Sequence, residues 1–160
     1  MSRRGQIVAG VAALIVCAAP MTAAPQDLRL TPAEIAALAK GGAGAGTSGV
    51  AGIRTTILYG DPTKPGLYVI EIRVPANTRI AAHRHRDDRT AVVVSGTWWF
   101  GYGPAADEAA VKALPPGSFY TEPADRPHFA LTRAEPVVAY ISGVGPTDTQ
   151  FVDVVATPNP

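Results

Sequence analysis

From Ile53 onward the chain reads as a train of short extended segments, and that succession constrains its fold more than any other feature. IRTTILYG, LYVIEIRVP, RTAVVVSGTWWFGYG, GSFYTEP and EPVVAYISGVG are rich in β-branched and aromatic residues, and each is bounded by Gly, Pro or Asp. No long helical pattern separates them, which argues against a βαβ sheet and for an antiparallel barrel or jelly roll. The composition agrees, since 47% apolar residues with 16 Gly and 15 Pro suit many short strands and turns better than a helical bundle. At 160 residues one domain is expected. PAADEAAVKAL reads equally as one helical turn or as a loop, and no internal repeat is visible.

The first residues are of another kind. Arg3 and Arg4 precede an apolar run over residues 7–19, and the small residues Ala23 and Ala24 follow it. This reads as a secretory signal peptide over residues 1–24, cleaved between Ala18 and Ala24, which implies a periplasmic or secreted protein. The run is shorter than the roughly 20 apolar residues of a membrane span, so no membrane contact is expected after cleavage. Cys17 follows Leu14 as in a lipoprotein signal, but Val16 stands where a small residue is usual, which argues against lipidation. Cys17 is the sole cysteine and leaves with the signal, so any transition metal must be held by imidazole and oxygen ligands.

Residues 25–52 read as a short helix and a connector. Thr31 is a natural N-cap, with Pro32 at the first helical position and Glu34 placed to close a capping box. The stretch GGAGAGTSGVAG, residues 41–52, has few side chains to fix it and is expected to be a mobile surface connector; it lacks the Lys-Ser/Thr ending of a phosphate-binding loop. The barrel would then occupy residues 53–155. With 14 Lys plus Arg against 13 Asp plus Glu, nothing draws the chain electrostatically to nucleic acid or anionic lipid, and a small-molecule ligand or substrate is the expected partner.

The chemistry is concentrated in AAHRHRDD. On an extended strand alternate side chains share a face, so His83 and His85 point into the same interior. Imidazole is the commonest metal-binding side chain, and the third and last histidine of the chain, His128, is brought alongside only by a sheet that folds back on itself. The segments PANTRIAAHRHRDDRTAVVVSG and GSFYTEPADRPHFALT together resemble the cupin superfamily, whose two motifs run in outline G-x5-H-x-H-x3-E-x6-G and G-x5-P-x-G-x2-H-x3-N. His83, His85 and Gly96 match the first; Gly117, Pro123 and His128 match the second. The resemblance spans about residues 59–145 and implies an all-β antiparallel β-barrel, the double-stranded β-helix or jelly roll, here with a short N-terminal helix. It implies one divalent ion (Fe, Mn, Zn or Ni) held by His83, His85 and His128, and a homodimer paired through outer strands.

Three positions depart from the pattern: Arg89 stands where the ligand glutamate is usual, Asp125 replaces the second motif's glycine, and Thr132 replaces its asparagine. A cation aimed at a metal would repel it. Three accounts stay open. Arg89 is neutralised by Asp87 or Asp88, one of which takes the vacant ligand place; or Arg89 faces the cavity and grips an anionic substrate beside a three-histidine metal; or it leans out to solvent. The fourth ligand is then Asp87, Asp88, water or none. Tyr120 and Glu122 join Arg89 as candidate catalytic residues, acid or base, if they reach the cavity. Trp98, Phe100 and Tyr102 share one strand face and Trp99 takes the other, so one set belongs to the core or to a substrate wall. The resemblance implies, for a three-histidine centre with open positions, a non-haem metal dioxygenase acting on a small anionic substrate. A Lewis-acid isomerase, cyclase or lyase and a non-catalytic ligand-binding cupin are the alternatives.

Overall fold

Burial alternates residue by residue along the strands, and this period of two turns each strand into a wall with one face inside. In VVAYISGVG, Val137, Ala139 and Ile141 are buried while Val138, Tyr140 and Ser142 are half-buried on the opposite face. The computed structural model describes residues 27–42 and 46–152; the signal-peptide segment lies outside the described residues. After α1 (Pro32–Ala37) come β1 (Arg54–Tyr59), β2 (Gly66–Val74), β3 (Arg79–Arg84), β4 (Arg89–Ser95) and β5 (Trp98–Tyr102). A 3-10 turn (Glu108–Ala110) leads to β6 (Lys112–Leu114), β7 (Phe119–Glu122), β8 (His128–Leu131), β9 (Val137–Gly145) and β10 (Gln150–Phe151).

These strands form two five-stranded sheets, ordered β1-β2-β9-β4-β7 and β10-β3-β8-β5-β6, and every ladder is antiparallel. The sheets share no ladder among the described residues, so the barrel is made by packing face on face. Ile70, Val93 and Ile141 of one sheet join Ile80, Trp98 and Phe100 of the other in one apolar core. Among the described residues no helix is long and apolar enough to cross a membrane.

Local rules account for the pieces. The α1 capping box forms, with the Glu34 N–H donating to Thr31 Oγ1 and the Glu34 carboxylate taking the Thr31 N–H. The segment RTAVVVSGTWWFGYG is two strands, broken at Gly96, whose φ of 73° is a left-handed turn conformation. A Cβ there would also run into the Pro136 carbonyl, so Gly96→Ala is expected to cost about 2 kcal/mol or more, read as a lowered urea midpoint at unchanged slope. Asp125 adopts φ 58°, the conformation glycine serves in the motif it departs from, and one that Asp tolerates. Thr132 substitutes for asparagine as a staple: its hydroxyl donates to the Pro75 carbonyl at 2.6 Å and accepts the Thr78 N–H at 2.9 Å.

The connector expectation needs correcting. Of residues 41–52, Gly41 bridges Thr55, Thr47 and Ser48 are buried, and the Gly46 carbonyl accepts Arg89 Nη1–H at 2.6 Å. Residues 46–48 are buried against the cavity, whereas 41, 42, 49, 51 and 52 are exposed. The absence of a side chain at Gly46 permits the close approach: its φ is 80°, and a Cβ there would fall 2.8 Å from Thr147 Cγ2.

Candidate metal centre

His83 lies on β3, His85 one residue past its end, and His128 opens β8; His83 and His128 face each other across the β3–β8 ladder. Between Ile80 and His83 the register slips, with two residues on β3, Ala81 and Ala82, set against one on β8, Phe129. That irregularity changes the parity of β3, so that Ile80 and His83, an odd number of residues apart, are both buried. Without it one of them would face solvent.

All three imidazoles are buried, their ring centroids 4.4–5.1 Å apart. Each Nδ1 sits against a backbone carbonyl: Ala81 for His83 at 2.8 Å, Asp148 for His85 at 2.5 Å, Arg126 for His128 at 3.1 Å. A carbonyl only accepts, so Nδ1 carries the proton and Nε2 is left with a free lone pair. His85 Nε2 and His128 Nε2 have no hydrogen-bond partner although buried, and one ligand atom from each histidine falls within 4.8 Å of the others. Orphaned buried acceptors carry a penalty that a shared cation removes, so the residues present fit a divalent ion.

Burial keeps the imidazoles neutral. It pushes His83 down to about 4, with His128 adding to the shift, and His85 down to about 3, with Arg89 adding; His128 is lowered chiefly by burial. Unfolded histidine titrates near 6.5, so below that pH the unfolded chain binds protons that the folded chain refuses, and stability falls as pH falls. Burial pushes Glu122 up, but Arg89, His128 and His85 outweigh it and hold the carboxyl at about 2. Its stabilisation is present above the ordinary carboxyl range and lost as pH falls toward 2. The metal-free protein is therefore expected to lose Tm steadily between pH 6.5 and 4; a level Tm across that window, measured by calorimetry, would contradict the neutral buried triad.

Arg89 is only 3% exposed, which removes the solvent-facing account. Neither Asp87 nor Asp88 is its partner. Asp87 takes the Tyr68 hydroxyl on one oxygen and the Thr147 hydroxyl on the other, at 2.7 and 2.6 Å, and Asp88 caps the Ala124 N–H at 2.9 Å. Both Asp87 oxygens are thus engaged by hydroxyls. Arg89 instead donates Nε–H and Nη2–H to Glu122 Oε2, the former at 2.6 Å. That same oxygen lies 3.8 Å from His85 Nε2 and 3.8 Å from His128 Nε2.

Thus Arg89 and Glu122 both reach the cavity, whereas Tyr120 does not line it. Tyr120 shares Glu122's inward face but sits farther along β7, packed on Phe100 at 4.5 Å. Trp98 and Phe100 are core, as strand alternation implies; Tyr102 runs out under Arg126, and Trp99 lies outside under Arg133. The cavity beside the histidines measures about 30 Å³, lined by His83, His128, Arg89, Glu122 and the Gly46–Ser48 segment. That is room for an ion and a water or two. Phe100, stacked on His128 at 5.5 Å, separates it from a cleft of about 410 Å³ between β5, β6 and β7. The role of residues 46–48 had no signal in the sequence beyond the polar Thr-Ser interruption of a glycine run.

No family model and no curated protein matches the chain. Solved structures do. The polyketide cyclase RemF from Streptomyces resistomycificus aligns with a TM-score of 0.60 at 15% identity, over 81% of this chain and 90% of that one. A cupin-2 domain, Rru_A2000 from Rhodospirillum rubrum, aligns at 0.52 and 16% identity, over 62% and 64%. The chain has the cupin fold. A chain from the crystal structures of DMSP lyases RdDddP and RnDddQII aligns at 0.50 and 24% identity over 58% of this chain, which spans about half the length of that one, 47%. At such identities the likeness is one of fold.

Proposed function

We propose that this cupin is an exported metal-dependent enzyme, with one divalent ion held by His83, His85 and His128 and a small molecule as substrate. The observation that carries the reading is the convergence of three buried, Nδ1-anchored imidazoles, each with a ligand atom within 4.8 Å of the others and two of them, His85 and His128, with an Nε2 that has no hydrogen-bond partner. A bound ion supplies Lewis acidity, polarising a carbonyl or acidifying a water for isomerisation, cyclisation or elimination. The chain's own groups orient and shield: backbone carbonyls fix the three rings, Phe100 stacks on His128, and the Gly46–Ser48 segment keeps bulk water out. The cleft beyond Phe100 has the volume and aromatic lining of a small-molecule site.

This reading sets non-redox chemistry ahead of dioxygenation because Arg89, the expected anchor for an anionic substrate, spends its donors on Glu122 and Gly46. Dioxygenation keeps one support, the set of neutral nitrogen donors that suits iron. Elemental analysis of untagged protein recovered from its own compartment separates the two: zinc or manganese without oxygen uptake supports the Lewis-acid reading, and iron with substrate-dependent oxygen uptake overturns it. Export is tested by the mass of the mature N-terminus. A homodimer is supported by the exposed Val92, Val94 and Phe119 on the outer face of β4 and β7, and light scattering decides it.

A further inference from the structure

The carboxylate lost at position 89 is not absent from the site. We propose that Glu122 is a protein ligand of the metal, delivered from β7 across the ladder in exchange for the arginine on β4; this rests on the metal reading above.

The register makes the exchange possible. Arg89 and Glu122 are directly opposite residues of the antiparallel β4–β7 pair, and opposite residues project from the same face a few ångströms apart. An acid at either position therefore points at the same region of the interior. Glu122 Oε2 stands 3.8 Å from both His85 Nε2 and His128 Nε2. Such gaps are too long for hydrogen bonds. They are spans that one ion bridges, with bonds of about 2.0–2.2 Å on each side. The two nitrogens concerned are buried and lack hydrogen-bond partners, and the Glu122 oxygen, held in place by Arg89, lies equally near to both. The other nearby carboxylate, Asp87, has both oxygens engaged by hydroxyls.

Arg89 takes a supporting role in this arrangement. Its Nε and Nη2 donate to Glu122 Oε2 while Nη1 is tied to the Gly46 carbonyl. The guanidinium is thereby held on the carboxylate and orients it, as hydrogen-bonded outer partners commonly orient ligating carboxylates. Paired, the two residues add no net charge to the cavity, which answers the repulsion that a lone arginine would bring. Arg89 is a positioning residue, and Glu122 is the one that touches the ion.

A plain counter-ion would serve Arg89 equally well wherever it sat, and this difference is testable. The variant R89Q/E122Q removes both buried charges together, so Arg89 is not left unpaired. In Zn²⁺ titrations of metal-free protein its affinity is expected to fall by at least about 10- to 100-fold, the range that even outer partners command. Cobalt-substituted protein should change its visible spectrum as a donor is lost. The swapped variant R89E/E122R restores a carboxylate to the same face and is expected to recover most of that affinity. Wild-type affinity and an unchanged cobalt spectrum in folded R89Q/E122Q would overturn the proposal and leave Glu122 a counter-ion. A wild-type crystal grown with Zn²⁺ tests it without any variant: a Glu122 oxygen at bonding distance supports it, and a carboxylate turned from the ion overturns it. If wild type binds no metal, the metal reading fails; if it binds and the variants match it, only the Glu122 assignment fails.

Discussion

His85→Ala protein is expected to be purified with less than about a tenth of the wild-type metal, since loss of even an outer partner costs roughly 10- to 100-fold in affinity. His85 is 1% exposed, its Nδ1 is fixed on the Asp148 carbonyl, and its Nε2 has no other use in the fold. The loss should also appear in stability. An ion that binds only the folded state at about a thousand times its Kd stabilises by about 4 kcal/mol, so added Zn²⁺ should raise the Tm of wild type by clearly more than that of His85→Ala. Truncation also leaves a void that lowers the metal-free Tm, but that component is independent of metal. Equal occupancy in both proteins, measured by elemental analysis without an affinity tag, would defeat the assignment of the triad.

Arg89→Met should destabilise the metal-free protein by about 3–5 kcal/mol, because removing one partner of a buried pair leaves the other charge uncompensated. Arg89 is 3% and Glu122 4% exposed, and the Gly46 carbonyl loses its donor in the same change. In a domain of this size that corresponds to a fall in Tm of roughly 10 °C or more. An arginine leaning into solvent would have cost no more than about 0.5 kcal/mol, so chemical denaturation separates the accounts clearly. The double variant R89Q/E122Q should be much less destabilised than the sum of the two single changes, as coupled residues are.

Much of the architecture was legible because local rules carried it. Strand alternation around Val137, Ala139 and Ile141, the capping box at Thr31 and Glu34, and the break at Gly96 each depend on neighbours within a few residues. The histidines were legible because His83 and His85 lie two apart and because the motif around His128 keeps its spacing. Their common inward face nevertheless depends on the slip between Ile80 and His83, which no local pattern announces. The partner of Arg89 was the largest gap. Asp87 and Asp88 are its neighbours in sequence, but they lie in the bend between β3 and β4, where they take Tyr68, Thr147 and Ala124, while Glu122, far along the chain, lies straight across the ladder.

The glycine run shows the same division. Its composition indicated backbone free of side chains, and the fold uses that freedom to bring the Gly46 carbonyl onto a buried guanidinium. By itself the sequence determined the strand periods, the turns and the identity of the three imidazoles, because these rest on residue type and short spacing. Only the tertiary structure decided the cross-strand register that joins Glu122 to Arg89 and the histidines, because register is set by packing between segments distant in sequence.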